Sequence, residues 1–413
     1  MIGSTRIRAQ LHIMAGGLPR PFWVLWCGIL INRMGTFVVP FLAIYLTQVR
    51  GFSIAQAGMV ASLYGVGSSI AAPVGGYLAD HLGRRIVMVG ALTLGGACMI
   101  GLGFAHGLAT IAPATFVVAL VSDMYRPGVQ AALSDIVPPR DRVRAFGLIY
   151  WVINLGFAIG LLLAGVISTI SYVLLFVGDG ATSIIFGLIV WRAIPETRPA
   201  PAPHSAEQPR RSVLAEFFAP YRDGTYMAFI GLAIMSAVLF MQHTLALPLD
   251  MMAHGISKPV FGAVIALNGI LIVLVQPFLG PFLTRFPRSR VLATGGALLA
   301  VGFGLNAFVH VAPLYALGVA IWTIGEILVL PTSNAVVADL APAALRGRYQ
   351  GAYSLSFGLA LIVAPTVGSL VMQHFGARTL WLGAFALGLL TMLGQLALER
   401  PLERARRARM AEH

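Results

Sequence analysis

Apolar stretches of about 20 residues recur along the whole chain, and each is long enough to cross the roughly 30 Å hydrocarbon layer of a membrane as a helix. Backbone polar groups in lipid must be satisfied within their own segment, so helices are the expected structure. We therefore predict an all-α polytopic membrane protein. The twelve predicted spans, numbered in chain order, cover residues 21–46, 55–79, 86–106, 108–137, 144–169, 171–191, 225–252, 258–284, 289–310, 312–340, 348–373 and 378–399.

The charged residues are few and lie mostly on one side of these spans. They make up only 10% of the chain, against about 25% in soluble domains. With the N-terminus inside, 23 of the 28 basic residues fall in cytoplasmic segments, which predicts that both termini are cytoplasmic. A nucleic-acid-binding protein would instead cluster its charge on one folded face, so the net charge of +13 predicts no nucleic-acid partner.

The N-terminus and the cysteines suggest no processing signal and no cysteine-based site. The apolar stretch after residues 1–20 is too long for a signal peptide and lacks a small-residue cleavage site, so we expect no cleavable leader. Cys27 and Cys98 lie in predicted spans without metal-ligand spacing around them, so we expect neither a disulfide nor a metal site.

An internal repeat divides the chain into two halves. Residues 195–211, PETRPAPAPHSAEQPRR, are rich in proline and charge, which is typical of a linker. We predict a six-helix bundle at 1–192, a cytoplasmic linker at 193–222, and a second six-helix bundle with a basic cytoplasmic tail at 223–413. Such repeats are typical of secondary transporters. At a constant offset of 204, the halves share Pro127 with Pro331, Ala131 with Ala335, Asp135 with Asp339, Pro138 with Pro342, Arg142 with Arg346, Arg144 with Arg348 and Gly147 with Gly351.

One motif resembles a known family. Residues 75–88, GGYLADHLGRRIVM, match the pattern G-x-x-x-D-x-x-G-R-[RK] of the major facilitator superfamily through Gly76, Asp80, Gly83, Arg84 and Arg85. The resemblance covers essentially the whole chain. It implies twelve transmembrane helices in two pseudo-symmetric six-helix bundles.

The same motif predicts a cytoplasmic gate. Gly83 supports a tight turn, and Asp80 caps a helix end that, in such folds, faces the N-terminus of helix 11. Arg84 and Arg85 are expected to reach Asp135, in contacts that form when the cytoplasmic side closes and break when it opens. Simple positive-inside anchoring is the alternative. In the second half, Arg285 is assigned to the position of Asp80, which weakens the case for a symmetric gate.

Span 5 carries a weaker likeness to the antiporter signature G-x8-G-x3-G-P-x2-G-G, with Leu161 in place of the proline. Close helix packing through small residues explains this spacing equally well. The matching residues are Gly147, Gly156, Gly160, Ala164 and Gly165.

Five ionisable or polar residues are predicted at mid-membrane depth, where function is the default hypothesis. Asn32 and Arg33 lie halfway along span 1, and Asp123 and Arg126 share a face of span 4. Glu326, at the middle of span 10, has no charged partner within a helical turn. Burial favours its neutral form, so we predict that Glu326 and Asp123 carry coupling protons, whereas Arg33, Arg126 and Asn32 bind substrate. A structural ion pair is the alternative for Asp123 with Arg126.

A second resemblance concerns the sequences around spans 7 and 10. Residues 222–231 and 325–340 resemble proton-coupled multidrug exporters, in which the glutamate of a G-E-x-x-x-x-P run recognises protons and drugs. This implies the same role for Glu326. Arg33 is less expected of such exporters and resembles the charged helix 1 of proton-driven peptide carriers, whose acidic partners are absent here.

Four further residues are weaker substrate-binding candidates: Asn154, His243, Asn268 and Trp322. Helix-to-helix hydrogen bonding or simple packing explains them equally well. Asp179, in span 6, has no predicted role.

These observations predict a monomeric, proton-coupled transporter of the bacterial inner membrane that exports small amphipathic molecules by alternating access. It resembles the twelve-helix drug:proton antiporters, and the proton gradient is its energy source without any cofactor. A proton-driven importer of a small polar or anionic solute, such as a peptide, is the alternative. An enzyme is not expected, since the chain lacks H-E-x-x-H, G-x-S-x-G and Walker motifs. A transport-dead receptor would not need the buried acids.

Overall fold

A computed structural model describes residues 17–197, 219–283, 285–342 and 345–411, and these residues are helical with short connections. Eleven helices in the described ranges are long and apolar enough to cross a membrane. The last of them contains one non-helical residue, Gly376, with φ 83° and ψ 162°. Gly376 lies where the sequence predicts the loop between spans 11 and 12, and we number the two parts, residues 346–375 and 377–397, α11 and α12.

The first half contains α1 to α6, and α1 and α4 are interrupted. Their bounds are α1 Arg20–Met34 and Val38–Ile44, α2 Ile54–Leu82, α3 Arg84–Gly103, α4 Leu108–Asp123 and Tyr125–Ile136, α5 Arg142–Ile170, and α6 Tyr172–Ala193.

The second half repeats this order and ends in an additional helix. Its bounds are α7 Gly224–Met241 and Ala246–Ala253, α8 Lys258–Leu283, α9 Arg288–Gly304, α10 Ala312–Leu340, α11 and α12 together Arg346–Ala397, and α13 Glu399–Ala411. The helices agree with the predicted spans, and the basic tail forms α13. Most of the predicted linker lies outside the described residues.

Local sequence sets several helix ends. Ser53 begins α2 with a capping box, in which its hydroxyl accepts from the Gln56 N–H and the Gln56 side chain accepts from the Ser53 N–H. Asp223 begins α7 by accepting a 3.0 Å hydrogen bond from the Tyr226 N–H. Gly83 has φ +110° between α2 and α3, a conformation that L side chains rarely adopt. The predicted tight turn at Gly83 therefore rests on a backbone requirement.

Helices α1 and α7 are each broken near mid-length. In α1 the break falls at residues 35–37, and the outer half then restarts at Val38. The Asp179 carboxylate of α6 accepts a 3.2 Å hydrogen bond from the Val38 N–H, so Asp179 caps this second helix. In α7 a 3₁₀ turn at Gln242–Thr244 separates the two helical parts. The sequence predicted α1 and α7 as continuous spans and gave Asp179 no role.

The buried core shows how the two halves meet. Towards the predicted outer side, one hydrophobic cluster combines both halves and includes Phe41 of α1 and Phe261 of α8, whose rings are 5.2 Å apart. Towards the side of the termini there are two separate clusters, one around Phe22 in the first half and one around Tyr226 in the second. The bundles therefore join at the outer side and separate towards the predicted cytoplasmic side.

Close backbone approaches at the outer side explain this joint. A Cβ on Gly65 of α2 would lie 2.5 Å from the Leu361 carbonyl oxygen of α11, and one on Gly262 of α8 would lie 2.5 Å from the Leu161 carbonyl oxygen of α5. Ser62 of α2 also lies 2.6 Å from the Thr366 hydroxyl of α11. Small residues at these crossings let the helices pack closely.

Candidate functional site

Glu326 lies in the middle of α10 and is 8% exposed. Its carboxylate accepts a 2.7 Å hydrogen bond from the Asn268 amide of α8, which also donates to Thr323 at 3.1 Å. No salt bridge joins Glu326 to a basic group among the described residues. The sequence correctly indicated that Glu326 has no charged partner nearby, but it missed Asn268 as its neutral partner because the two residues are far apart in the chain.

Glu326 lines a small cavity within the second bundle. The cavity combines aromatic walls with a few hydroxyl groups, which is typical of a site for amphipathic ligands. Its lining includes Phe240, Phe357, Tyr353, Ser236 and Ser333. A buried carboxyl group with a neutral partner in such a cavity is able to exchange a proton without breaking an ion pair.

Asp123 and Arg126 form an ion pair on α4, with 2.8 Å between carboxylate oxygen and guanidinium nitrogen. The Ser68 hydroxyl of α2 also donates to Asp123. The Asp123 side chain is 6% exposed, whereas that of Arg126 is 50% exposed. The geometry matches the structural ion pair that the sequence left open. Asp123 is thus a weaker candidate for proton exchange than Glu326, whereas Arg126 keeps an accessible surface.

Arg33 is held by neutral groups. Its guanidinium donates to the Tyr125 hydroxyl at 3.0 Å, and that hydroxyl donates to the side-chain amide oxygen of Asn32 at 3.2 Å. The Asn32 amide donates in turn to Ser183 at 2.9 Å. No salt bridge to Arg33 occurs among the described residues. The Arg33 Nε atom is buried without a hydrogen-bond partner there.

These first-bundle residues line a second, more polar cavity. It lies between α1, α2, α3, α4 and α6, and its lining includes Asn32, Arg33, Asp123, Arg126, Tyr64 and Asp179. The structure therefore brings together four residues that were predicted separately on spans 1 and 4. The two cavities differ in character, since the first contains two arginines and two aspartates, and the second contains one carboxyl group with aromatic walls.

Three of the weaker candidates make internal contacts. The Asn154 amide donates to the Tyr150 carbonyl of its own helix at 2.9 Å. His243 Nδ1 lies 2.7 Å from the Phe240 carbonyl oxygen. Trp322 is buried and stacks on Phe303 with 5.4 Å between ring centroids, so it does not line either cavity in this conformation. These arrangements agree with the packing alternative, and substrate contact by Asn154, His243 or Trp322 stays a prediction.

The predicted gate residues Arg84 and Asp135 form an ion pair inside the first bundle. Because the bundles are separated on this side, the pair exists in a conformation that is open to the predicted cytoplasm. The contact is thus present in this conformation, and its predicted change between the open and closed states stays a prediction. The guanidinium of Arg85 points elsewhere and donates to the Trp191 carbonyl at the end of α6, so in this conformation it does not reach Asp135.

The second half contains the same ion pair. Arg288 and Asp339 lie 2.6 Å apart, and both follow Arg84 and Asp135 by 204 residues. This correspondence places residue 284, rather than Arg285, at the position of Asp80. The Arg–Asp part of the motif is therefore symmetric.

The motif loop has a partner that the sequence analysis missed. The Glu196 carboxylate accepts hydrogen bonds from the backbone N–H groups of Arg84 at 2.9 Å and Arg85 at 3.2 Å. A carboxylate at a helix N-terminus is favourable because of the free N–H groups and the helix dipole. The sequence signal for this contact is Glu196 itself, an acidic residue just after α6. The sequence analysis assigns the whole PETR segment to the linker and so misses it.

Asp80 is exposed and makes no hydrogen bond or ion pair within the described part of the chain. Its predicted partner, the start of α11, belongs to the opposite bundle. Gly76, one turn earlier, would place a Cβ 3.9 Å from Pro127, an ordinary contact. Among the described residues the cap and gate contact predicted for Asp80 is not made, and its role in the closed state stays a prediction.

The sequence and the structure were compared with known proteins. A family model described as Major Facilitator Superfamily matches residues 25–252 and 243–413. The uncharacterized MFS-type transporter YttB of Bacillus subtilis is 28% identical, over 94% of this chain and 98% of its own. A Na(+), Li(+), K(+)/H(+) antiporter of Planococcus maritimus is 25% identical, over 86% of this chain and 90% of its own.

The chain is also similar to a drug-resistance protein and to a solved transporter structure. The quinolone resistance protein NorA of Staphylococcus aureus is 26% identical over 40% of this chain and 43% of its own. The crystal structure of a POT family transporter in complex with 5-aminolevulinic acid superimposes with a TM-score of 0.80, covering 94% of this chain and 98% of that one. Its 14% identity extends the likeness to the fold alone.

Proposed function

Since the chain belongs to the Major Facilitator Superfamily of membrane transporters, we propose that it couples proton entry to the export of small amphipathic molecules by alternating access. It acts as a monomer in the bacterial inner membrane with both termini in the cytoplasm, as the distribution of basic residues supports. The proton gradient is its energy source, and no cofactor takes part.

Glu326 carries this proposal. Its carboxyl group is buried in an amphipathic cavity and bonded to the neutral Asn268 amide. A carboxylate in such surroundings is costly unless it is protonated or meets a cationic ligand. A proton and a cationic or hydrogen-bonding substrate would therefore compete for Glu326, and such competition produces exchange of one for the other.

Arg33 and Arg126 line the polar cavity of the first bundle, and in this proposal they complete the site. Arg126 is paired with Asp123, whereas Arg33 has no acid within ion-pairing distance among the described residues, although Asp179 lines the same cavity. Protonation of Glu326 removes one negative charge from the two cavities. This disfavours a bound cation and so promotes its release in the protonated state. The names of two relatives, a monovalent cation/proton antiporter and a quinolone resistance protein, are consistent with exchange.

Inverted membrane vesicles test the proposal. The vesicles are energised to acidify their lumen, and the fluorescence of a pH-sensitive acridine dye reports the gradient. Norfloxacin, ethidium, NaCl and dialanine are then added separately. Dissipation of the gradient by norfloxacin or ethidium in vesicles with the wild-type chain, and not in vesicles with Glu326→Gln, supports the proposal. The absence of any response to norfloxacin and ethidium contradicts drug export, and a response to NaCl alone would assign cation exchange.

Import of a small anionic or zwitterionic solute is the second candidate, and Arg33 is the observation that favours it. An arginine without an acidic partner in a polar cavity is suited to a carboxylate. Right-side-out vesicles with an acidic exterior distinguish the two directions. Proton-driven accumulation of radiolabelled dialanine, abolished by Arg33→Ala, would assign import.

A further inference from the structure

A second group of titratable side chains lies at the predicted outer end of the second bundle, away from the Glu326 cavity. It consists of Asp250 in the outer half of α7, His254 just after that helix, His310 in the loop before α10, and Tyr315 in α10. Burial increases along the group. His310 is exposed, the His254 side chain is 29% exposed, and the Asp250 side chain is 2% exposed.

The contacts form a continuous chain from the surface to Asp250. His310 Nδ1 lies 2.7 Å from His254 Nε2. His254 Nδ1 lies 2.9 Å from the backbone carbonyl oxygen of Asp250 and 3.0 Å from the Tyr315 hydroxyl, whereas it lies 3.6 Å from a carboxylate oxygen of Asp250, beyond hydrogen-bond distance. Tyr315 donates to Asp250 at 2.7 Å, and the Trp381 indole N–H of α12 donates to it at 3.0 Å. Asp250 therefore ties the outer half of α7 to α10 and α12.

The hydrogen bonds assign the histidine tautomers. The Tyr315 proton is used towards Asp250, so the Tyr315 oxygen accepts from His254 Nδ1–H. The free lone pair of His254 is then on Nε2, which accepts from His310 Nδ1–H. The remaining nitrogen of His310, Nε2, is left to accept a proton from solvent. All imidazoles are thus oriented in one direction.

The outer half of α7 also belongs to the joint between the bundles. Ala246, Leu247 and Met251 are buried in the hydrophobic cluster shared with Phe41 and Leu42 of α1. The 3₁₀ turn at Gln242–Thr244 separates this half from the rest of α7. Whatever holds the outer half of α7 in its own bundle therefore also holds the outer side closed.

We propose that His310, His254, Tyr315 and Asp250 form a proton-binding relay that closes the outer side when Asp250 is ionised and releases it when external protons load the relay. A proton binds His310 Nε2, and the Nδ1 proton of His310 moves to His254 Nε2. The Nδ1 proton of His254 moves to the Tyr315 oxygen, and the hydroxyl proton of Tyr315 moves to Asp250. Neutral Asp250 then makes weaker hydrogen bonds with Tyr315 and Trp381, since charge-assisted bonds are roughly twice as strong as neutral ones. The outer half of α7 becomes free to move away from α1. The physiological use of this relay rests on the proposed proton-coupled transport.

The charged groups on neighbouring elements are engaged elsewhere. The outer half of α1, Val38–Ile44, contains no titratable side chain. Lys258 at the start of α8 lies 4.6 Å from the centre of the Tyr172 ring, and Arg378 on α12 lies 5.4 Å from that of Phe308. His243 bonds to its own helix. The relay residues are therefore the titratable groups that contact Asp250 among the described residues.

Distances between two spin labels test the proposal without any transport substrate. The labels are placed at exposed residues on the outer ends of the two bundles, Ile170 in α5 and Phe375 in α11, after Cys27 and Cys98 are replaced by Ser. The protein is studied in lipid nanodiscs between about pH 8 and pH 5, the range in which histidine changes charge. The wild-type distance distribution is expected to shift to longer values on acidification.

The variants separate a relay from a merely structural cluster. Asp250→Asn is expected to give the long distance at every pH, and His310→Gln to displace the transition by about one pH unit or more, since each unit is about 1.4 kcal/mol of linkage. Tyr315→Phe removes the hydroxyl that links His254 to Asp250 and should weaken closure and reduce its pH dependence. His106→Gln, an exposed outer histidine of the first bundle, is the control and should behave as wild type.

The proposal is overturned if the wild-type distances do not change with pH, or if His310→Gln and His106→Gln give the same transition. Repeating the titration in the Glu326→Gln background separates this result from the transport mechanism. A pH-dependent opening that survives there would support the relay even if the proposed export were disproved.

Discussion

The carboxylate of Asp179 lies 3.2 Å from the backbone nitrogen of Val38, at the start of the outer half of α1. A helix that restarts inside a membrane exposes N–H groups that no water can satisfy. Asp179 satisfies one of them from the neighbouring helix α6. The break in α1 and the buried acid of α6 therefore explain each other.

This relationship predicts the effect of shortening the side chain. Asp179→Ala should lower the free energy of unfolding by about 0.5–2 kcal/mol, the usual cost of losing a cap. Asp179→Asn keeps an acceptor oxygen and should lose less. Thermal unfolding in detergent measures both. Equal stability of Asp179→Ala and wild type would show that the cap does not stabilise α1.

A second prediction concerns Glu326. Glu326→Gln permanently mimics the protonated carboxyl group, so the variant should exchange substrate across the membrane but not use a pH gradient. Gln is nearly the same size and costs less in lipid than a carboxylate, so folding should not suffer. Gradient-driven transport and substrate exchange are measured in the same vesicles. The control is Glu403→Gln, which alters an exposed carboxylate on α13. Full gradient-driven transport by Glu326→Gln would leave this residue as at most a substrate contact.

Arg33 and Arg126 should respond differently to replacement by alanine. Arg126→Ala leaves Asp123 buried with only the Ser68 hydroxyl, so it should cost stability, on the order of 1–3 kcal/mol after allowing for the exposure of Arg126. Arg33→Ala removes an ion with no acidic partner within ion-pairing distance among the described residues and should weaken substrate binding without such a loss. Binding titrations with norfloxacin and thermal unfolding rank the two variants. If Arg33→Ala is the less stable one, Arg33 is structural.

The fourth prediction concerns Asp80. Because Asp80 makes no contact in the described part of this open conformation, Asp80→Asn should leave the open state unchanged and weaken only the state that is closed to the cytoplasm. Transport should slow, while the free energy of unfolding should stay within about 1 kcal/mol of the wild-type value. The rate of exchange in vesicles is the measurement. A rate identical to wild type would remove Asp80 from the gate.

The sequence predicted those features that depend on local pattern. The positions of the spans follow from apolar length, and the internal repeat follows from shared residues, so the fold was predictable. Contacts between distant parts of the chain were not. Asn268 meets Glu326 from another helix, Glu196 reaches the start of α3 from just beyond the end of α6, and Asp179 caps α1 from α6. The breaks in α1 and α7 were missed for the same reason, since apolar composition continues through them.

The repeated ion pair has a consequence for how the chain is assembled. Arg84 binds Asp135 inside one half, and Arg288 binds Asp339 inside the other, so neither half borrows a partner for this pair from its neighbour. Each half also has its own hydrophobic cluster on the side of the termini. The two halves therefore resemble two subunits that are joined into one chain. Two separately translated polypeptides, divided between residues 198 and 218, would each keep these ion pairs and would associate through the outer joint.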